Sequence, residues 1–195
     1  MKWIGLTGGI ASGKSSVAAI LRQHGFQVVD ADRLAHDVIR AGQPAYSEIL
    51  SRFGAQAVGP DGEIDRVALG KIVFNDAAAR GDLERIIHPR VRELTQSLRG
   101  QWQQRGERVA FYEVPLLFEK NMDADFDAIW VVDLPEIDQI TRLRARTGMN
   151  AEDAKKRMVA QVSRAERVRR ATVLIDNSGT LEQLKERVAG LVASL

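Results

Sequence analysis

A glycine-rich octapeptide near the start of the chain has the residue types and spacing to bind phosphate. Residues 8–15 read GGIASGKS and match G-x-x-x-x-G-K-[ST] without a gap. Glycines let the backbone curl so that several N–H groups face one anion, and a helix starting at the loop adds the positive end of its dipole. Lys14 can then reach the outer phosphates, and the Ser15 hydroxyl can coordinate Mg²⁺, which prefers oxygen ligands. The motif predicts a phosphate-binding loop.

A dinucleotide-binding turn is the first alternative for this segment. Such a turn requires glycine at positions 8, 10 and 13, and the residue at position 10 is Ile10. A glycine-rich turn with a chance lysine is the second alternative. However, an apolar run precedes the octapeptide and a helical pattern follows it, which is the context that a phosphate loop requires.

Two carboxylates follow a second apolar run. Asp30 and Asp32 end the segment VVDAD, and in an open α/β sheet ligands bind outside the carboxyl ends of the strands. We therefore expect them to face the phosphate site, where a carboxylate can accept a hydroxyl proton or help to bind Mg²⁺. An N-cap is the alternative for Asp32, because a helical pattern follows it. We favour Asp32 for chemistry because it lies further out along the chain.

Five short apolar runs predict the strands that position these residues. They are rich in Val, Ile and aromatic residues and do not alternate with polar ones, a pattern typical of strands buried on both faces of a parallel sheet. Helical patterns separate them, which predicts a three-layer α/β protein with a five-stranded parallel sheet. The predicted strands are KWIGLT (2–7), QVVD (27–30), VAFYEV (109–114), AIWVVDL (128–134) and TVLID (172–176).

The long interval after the second predicted strand carries helical patterns only. Pro44 is placed for a first helical turn, Asp65 for an N-cap, and Pro89 for the opening of a further helix. We interpret residues 33–108 as a helical insert within a single domain. The core of that domain would comprise residues 1–32, 109–134 and 171–195.

Residues 135–170 are predicted to form two helices that break near Thr147 and Gly148. On the second of these helices, three polar residues would share one face at i, i+4 and i+7, namely Arg157, Gln161 and Arg164. Thr180 and Gln183 match a capping box at the start of the last helix.

The positive charge of the chain is concentrated in one segment. Residues 142–170 hold ten Lys or Arg against three Asp or Glu, whereas the whole chain has a net charge of +2. Such a segment indicates an anionic partner, either phosphate or nucleic acid. The three tryptophans are scattered along the chain, so no base-stacking platform is predicted, and this disfavours nucleic acid.

Composition excludes several classes of protein. The chain is 45% hydrophobic and 28% charged, which is typical of globular proteins. We see no apolar run of membrane-spanning length and no signal-peptide pattern at the N-terminus. Because there is no cysteine, disulfides and thiolate metal sites are excluded. We expect a monomeric cytoplasmic enzyme without a membrane or nucleic-acid partner.

Taken in order, seven segments of the chain resemble the dephospho-coenzyme A kinase family. The first is common to all phosphate-loop enzymes, whereas the succession of the others is much more specific, and together they cover nearly the whole chain. The segments are TGGIASGKS (7–15), VVDAD (28–32), IIHP (86–89), VPLLFE (114–119), RLRAR (142–146), RMVAQ (157–161) and IDNSG (175–179).

The resemblance implies a fold of the phosphate-loop NTPase type and a reaction. That family uses ATP with Mg²⁺ to phosphorylate the 3′-hydroxyl of the ribose in dephospho-coenzyme A, the last step of coenzyme A synthesis. By this resemblance Asp32 accepts the hydroxyl proton, Lys14 and Arg142 stabilise the transferring group, and Ser15 holds the metal. The helical insert would bind the acceptor, and residues 135–170 would form a lid over the phosphates.

The resemblance also implies two sets of binding residues. Those implied for ATP are Gly8, Gly9, Ile10, Ala11, Ser12, Gly13, Lys14, Ser15, Ser16, Arg142, Arg146, Asn177 and Gly179. Those implied for the acceptor are Asp32, His88, Glu119, Arg157 and Gln161.

Some residues keep a structural alternative. His88 precedes a proline and is as readily a helix cap as a substrate contact, and Glu119 is as readily a solvated loop carboxylate. Glu113 ends the third predicted strand, where many phosphate-loop enzymes carry an acidic residue near Mg²⁺, and we leave it unassigned. Three arginines late in the basic segment are as readily part of a solvated face, namely Arg167, Arg169 and Arg170.

Two other functions stay open at this point. A kinase for another small hydroxyl acceptor or for a nucleoside monophosphate would have the same loop and lid. A nucleotide-dependent switch or a nucleic-acid ATPase is less well supported, because a GTP switch normally carries an N-K-x-D motif and here Asn177 is followed by Ser-Gly-Thr.

Overall fold

The strands form one parallel five-stranded sheet. The computed structural model describes residues 1–74 and 76–195, and its strand order is β2–β3–β1–β4–β5. The predicted sheet is confirmed, with every strand boundary within one residue of its prediction. The strands are Lys2–Gly8 (β1), Gln27–Asp30 (β2), Val109–Glu113 (β3), Ala128–Asp133 (β4) and Val173–Asp176 (β5).

Helices connect the strands along the chain. Those before β3 are Lys14–Gln23 (α1), Ala31–Asp37 (α2), Pro44–Phe53 (α3), Arg66–Phe74 (α4) and Ala77–Gln104 (α5). Those after β4 are Glu136–Thr147 (α6), Ala151–Val159 (α7), Arg164–Arg170 (α8) and Leu181–Val192 (α9). Within the described part of the chain, none of these helices combines the length and hydropathy needed to cross a membrane.

Side chains on the two faces of β1 are buried in different surroundings. Ile4 and Leu6 belong to a core cluster with residues of α1 and α9, and burying each contributes roughly 1.5–3 kcal/mol. On the other face Trp3 packs beside an aromatic group, with ring centroids 5.6–6.4 Å apart. The members of that group are Trp102, Tyr112 and Phe126. Burial on both faces explains why the strands read as continuous apolar runs.

Contacts within the chain divide it into two compact units. The first comprises Met1–Asp30 with Trp102–Leu195 and contains the sheet, and the second is Ala31–Gln101. The second unit has its own hydrophobic cluster, to which α3, α4 and α5 contribute together with Val38 and Ile39, which follow α2. That this helical unit binds the acceptor stays a prediction.

Two predicted helix starts in the second unit are confirmed. Pro44 lies in the first turn of α3, where its missing N–H costs no helical hydrogen bond. The Asp65 carboxylate accepts hydrogen bonds from the N–H groups of Val67 and Ala68, at 2.8 and 3.0 Å. This capping satisfies donors that the first turn of α4 leaves without a helical partner.

The predicted helix opening at Pro89 is wrong. Pro89 lies inside α5, a helix of 28 residues, although proline removes one hydrogen bond from a helix interior. The helix persists because apolar residues on both sides of Pro89 pack on the cluster of the second unit, so packing outweighs local propensity. These residues are Leu83, Ile86, Ile87, Val91 and Leu94. His88 is therefore an exposed residue within a helix and not a cap.

The prediction of two helices over 135–170 is also wrong, because the structure has three. The break at Gly148 is confirmed, with a left-handed φ of 71°. A second break separates α7 from α8, where the Ser163 side chain accepts a hydrogen bond from the N–H of Glu166 and caps α8. Gln161 lies in this second turn, so it cannot share a helix face with Arg157 and Arg164. The pattern S-x-x-E at 163–166 is the capping signal that indicates this start.

Candidate active site

The phosphate loop has the curled backbone that its sequence predicts. Ala11 and Gly13 have φ angles of 58° and 97°, in the left-handed region that favours glycine. A side chain at position 13 would also collide with the Asn177 amide. The N–H groups of Ser16 and Val17 donate to the Gly13 carbonyl at 3.0 and 3.2 Å, so α1 begins directly at the end of the loop. The positive end of its dipole therefore lies where a phosphate would bind.

Only glycine fits at position 8, because other atoms approach the backbone closely at the start of the loop. A Cβ atom on Gly8 would lie 2.5 Å from the carbonyl oxygen of Val132 and 2.6 Å from Oγ of Ser12. These distances are too short for any side chain to fit. The loop is thus packed directly against the end of β4, the strand beside β1.

Asn177 joins the loop to the end of the sheet. Its side-chain amide donates to the Ser12 carbonyl at 2.7 Å, and its backbone N–H donates to the Asp133 carbonyl at 2.9 Å. Its own carbonyl accepts a hydrogen bond from the Arg142 guanidinium at 2.9 Å. Because Asn177 is only 5% exposed, these bonds are shielded from water, and removing them would leave buried polar groups unpaired.

Gln161 contacts the front of the loop from the turn between α7 and α8. Its Oε1 atom accepts a hydrogen bond from the Ile10 N–H at 2.8 Å. The next residue, Val162, donates its N–H to the Glu119 carboxylate at 2.9 Å. Its carbonyl accepts a hydrogen bond from the Arg167 guanidinium. The sequence assigned Gln161 and Glu119 to the acceptor, and the structure places both in this group of contacts at the loop.

The structure excludes the solvated alternative for Arg167. It is 7% exposed, and a Cβ atom on Gly9 would lie 2.7 Å from its Nη2 atom. Burial lowers the pKa of Arg167, while the Glu119 and Asp133 carboxylates act in the opposite direction. A buried guanidinium needs such nearby carboxylates, because transfer of an unpaired charge from water is costly. Sequence spacing alone does not distinguish Arg167 from the exposed Arg169.

Gln139 is a second buried residue that sequence reasoning missed. It is 1% exposed, and its amide donates to the Leu134 carbonyl at 2.7 Å. A Cβ atom on Gly9 would lie 2.5 Å from its Oε1 atom, which has no hydrogen-bond partner among the described residues. Gln139 and Arg167 together leave no room for a side chain at Gly9.

Four strands of the sheet end in a carboxylate, and hydrogen bonds compensate the charge of Asp133 and Asp176. Asp133 accepts two hydrogen bonds from Arg164, at 2.8 and 2.6 Å. Hydrogen bonding to Asp133 is the largest cause of the raised pKa of Arg164. A hydrogen bond from the Ser178 side chain is the largest cause of the lowered pKa of Asp176, with contributions from the Ser178 N–H and the Arg187 charge. Negative charge beside the loop is thereby compensated within the first unit.

The other two carboxylates lie on the opposite side of β1. Glu113 is buried at the end of β3, in register with Leu6 of β1 and with Asp30 of β2. Asp32 follows two residues after Asp30, in the first turn of α2, and is exposed. The sheet thus holds Asp30 and Glu113 side by side, whereas Asp32 belongs to the second unit.

The remaining predicted residues lie at or near the surface. Ser15 and Ser16 are exposed in the first turn of α1, and Lys14 before them is partly exposed. Arg146 on α6 and Arg157 on α7 are exposed, and the loop contacts described above do not involve them. A Cβ atom on Gly179 would collide with the Gln183 side chain that closes the predicted capping box of α9, which is confirmed.

The residues at the loop fit a Mg²⁺ ion that is held mainly by phosphate oxygens. Across residues 1–74 and 76–195, no group of three or more His, Asp or Glu side chains is close enough together to hold a metal ion. The Ser15 hydroxyl at the end of the loop is a hard oxygen donor. Mg²⁺ commonly takes one or two such protein ligands together with substrate phosphates and water.

Comparison with known proteins identifies relatives over the whole chain. A sequence model of the family described as dephospho-CoA kinase matches residues 2–183. The dephospho-CoA kinase of Thermobifida fusca is 47% identical over 186 residues, covering 95% of this chain and 92% of the relative. A crystal structure of TT1252 from Thermus thermophilus has a TM-score of 0.84 at 35% identity, covering 100% of this chain and 97% of that one. The dephospho-CoA kinase from Campylobacter jejuni has a TM-score of 0.72 at 26% identity, with 98% and 96% coverage.

Substitution of Asn177 by alanine is expected to loosen the phosphate loop. Loss of the bond to the Ser12 carbonyl should lower the free energy of unfolding by about 1–3 kcal/mol and should weaken ATP binding by about tenfold, since 1.4 kcal/mol is a factor of ten. Urea denaturation and titration calorimetry measure the two effects. Ser178→Ala is the control, because that side chain bonds Asp176. An ATP affinity within about twofold of the parent protein would show that Asn177 does not shape the loop.

Asp176 is expected to make stability depend on pH in the acid range. Its pKa is lowered in the folded protein, so the unfolded chain binds the proton more readily. The stabilisation is complete above the ordinary aspartate pKa, about 4, and is lost as the pH falls through the lower folded-state value. The Tm difference between the parent protein and Asp176→Asn should therefore be largest at neutral pH and shrink below about pH 4. A difference that stays constant down to about pH 2.5 would contradict this origin.

Proposed function

The chain belongs to the dephospho-CoA kinase family, and we propose how its residues carry out the reaction of that family. The reaction is transfer of the γ-phosphoryl group of ATP to the 3′-hydroxyl of the ribose in dephospho-coenzyme A, the final step of coenzyme A synthesis. The single observation that carries the proposal is the phosphate loop, curled at Ala11 and Gly13 and held by buried contacts. A loop with this geometry is suited to a polyphosphate.

Phosphate binding is assigned to the loop and the start of α1. The loop N–H groups other than those of Ile10 and Ser12, which bond Gln161 and the Gly9 carbonyl, would face the phosphates. α1 adds its positive dipole end, and together they favour a multiply charged anion. Lys14, the first residue of α1, is proposed to approach the β- and γ-phosphate oxygens. Its charge offsets the negative charge that develops on the oxygens during transfer.

Arg142 is proposed as a second cation for the phosphoryl group. Its guanidinium bonds the Asn177 carbonyl, and a Cβ atom on Gly13 would lie 3.8 Å from its Nη1 atom. The side chain is therefore held next to the loop, with its fork of donors close to where phosphate oxygens would lie. Arg146, one turn further along α6, is assigned to the same lid surface.

Mg²⁺ is proposed to bind through Ser15. When bound, the ion would supply positive charge that offsets the negative charge of the phosphates. The Ser15 hydroxyl in the first turn of α1 supplies the protein oxygen.

Asp32 is proposed to orient the acceptor and to take its proton. In phosphoryl transfer the attacking hydroxyl must point in line at the γ-phosphorus, and a carboxylate can hold it there and accept the proton. Asp32 comes two residues after the end of β2, and ligands of α/β sheets bind outside the carboxyl ends of the strands. His88 and Arg157 are the remaining proposed acceptor contacts. A monomeric, cytoplasmic enzyme stays our expectation.

Substitution of Asp32 by asparagine is expected to slow phosphoryl transfer. The amide keeps the shape of the side chain but cannot accept the proton, and a positioned base contributes about 10²–10⁴-fold. Single-turnover kinetics with labelled ATP and dephospho-coenzyme A measure the chemical step. Asp37→Asn is the matched control, because Asp37 ends the same helix and pairs with Arg33 at 3.9 Å. If Asp32→Asn retains a rate within about threefold of the parent protein, Asp32 is not the base.

A further inference from the structure

One backbone peptide beside the phosphate loop is held from both sides by charged residues. The N–H of Val162 donates to the Glu119 carboxylate at 2.9 Å, and the carbonyl of the same residue accepts a hydrogen bond from Arg167. Glu119 lies in the segment after β3, and Arg167 lies on α8. Two separate parts of the first unit therefore meet at a single residue.

The residue before this peptide contacts the phosphate loop. Gln161 accepts the Ile10 N–H at 2.8 Å, and fixing Val162 also fixes the position from which the Gln161 side chain extends. Arg167 contributes a second contact, because its guanidinium lies against Gly9. The front half of the loop thus lies on a support made by Gln161 and Arg167.

Burial and charge distinguish this arrangement from an ordinary surface ion pair. Arg167 is among the buried residues, and the Glu119 carboxylate has the largest electrostatic influence that keeps it charged. In contrast, the Arg169 side chain on the same helix is 72% exposed and pairs only three residues away, with Glu166. Keeping the Arg167 guanidinium charged while buried costs desolvation free energy. Its contacts with the Val162 carbonyl and with Gly9 offset this cost.

We propose that Glu119 and Arg167 are positioning residues for the phosphate loop. Both act on it through Gln161, and Arg167 also acts through its contact with Gly9. They order the loop before ATP arrives, so less conformational freedom is lost on binding and the affinity rises. This inference deepens the proposed function and rests on it, because it takes ATP as the ligand of the loop. It assigns Glu119 and Gln161 to the ATP side of the reaction, whereas the sequence assigned them to the acceptor.

The test combines MgATP binding with steady-state kinetics on the full-length chain. Titration calorimetry gives the Kd of MgATP for Gln161→Ala, Glu119→Ala and the double variant. We expect each single change to raise this Kd by about tenfold, and the double variant to be within about twofold of the worse single variant, because residues acting through one contact are not additive. The KM for dephospho-coenzyme A should stay unchanged.

Conservative and control variants separate positioning from general loss of structure. Glu119→Gln keeps an acceptor for the Val162 N–H and should recover most of the affinity that Glu119→Ala loses. Arg167→Met should weaken MgATP binding, whereas Arg169→Met on the same helix should leave it unchanged. If Arg167→Met does not fold, the Glu119 and Gln161 variants decide the matter, because both side chains are only partly buried.

Hydrogen exchange at Ile10 provides a direct second readout. The Ile10 amide should be protected in the parent protein without ATP and should exchange about tenfold faster in Gln161→Ala and in Glu119→Ala. Unchanged exchange and unchanged MgATP affinity in both variants would overturn the proposal. A raised KM for dephospho-coenzyme A with normal MgATP affinity would also overturn it and would return both residues to the acceptor.

The outcomes distinguish this inference from the proposed function. If the parent protein binds MgATP but does not phosphorylate dephospho-coenzyme A, the function is wrong, and the loop contacts are still judged by their MgATP affinities. If the parent protein phosphorylates dephospho-coenzyme A and every variant binds MgATP normally, the function stands and the positioning role is wrong.

Discussion

The hydrogen bond from the Asn177 amide to the Ser12 carbonyl is the contact on which the shape of the site depends. It connects the segment after β5 to the phosphate loop after β1, although 165 residues separate the two partners. The amide also occupies the space that a side chain at Gly13 would need. Glycine at position 13 and asparagine at position 177 are therefore two parts of one constraint, which fixes both the left-handed turn of the loop and the place of Arg142.

The charges at the carboxyl edge of the sheet are also arranged so that an anion can bind at the loop. β2, β3, β4 and β5 each end in a carboxylate, whereas β1 ends in the glycine that opens the anion-binding loop. On one side of β1, Arg164 and the Ser178 segment bond Asp133 and Asp176, so their negative charge does not oppose a phosphate. On the other side, Asp30 and Glu113 end paired strands, and Asp32 follows two residues after Asp30.

Local sequence patterns were enough to predict the sheet and the loop. Features that depend on contacts between residues distant in sequence could not be predicted in this way. Non-alternating apolar runs located the five strands within one residue, because burial on both faces leaves a pattern of consecutive Val, Ile and aromatic residues. The prediction that a helix begins at Pro89 was wrong because packing of the residues on either side keeps α5 continuous. No local sequence pattern indicates that packing. The break before α8, which the prediction missed, does have a local sequence signal, namely the N-cap Ser163 with Glu166 three residues later. This capping signal outweighs the apolar spacing that favoured one continuous helix.

The parts of the candidate site that belong to sequence motifs could be predicted from the sequence. The loop, Arg142 and Asn177 came from sequence, and the structure brings them together. Arg167 and Gln139 were missed because a buried arginine or glutamine has the same sequence appearance as an exposed one. What distinguishes them is the absence of space at Gly9, which appears only when residues of α6 and α8 meet the loop.

The most direct test of the central claim is to identify the acceptor and the oxygen that is phosphorylated. The purified protein would be incubated with labelled ATP, Mg²⁺ and a panel containing dephospho-coenzyme A, nucleoside monophosphates and small hydroxyl acceptors, and the product would be examined by ³¹P NMR. We expect label on dephospho-coenzyme A alone, as a phosphomonoester on the 3′-oxygen of the ribose. Transfer to a nucleoside monophosphate without transfer to dephospho-coenzyme A would contradict the account.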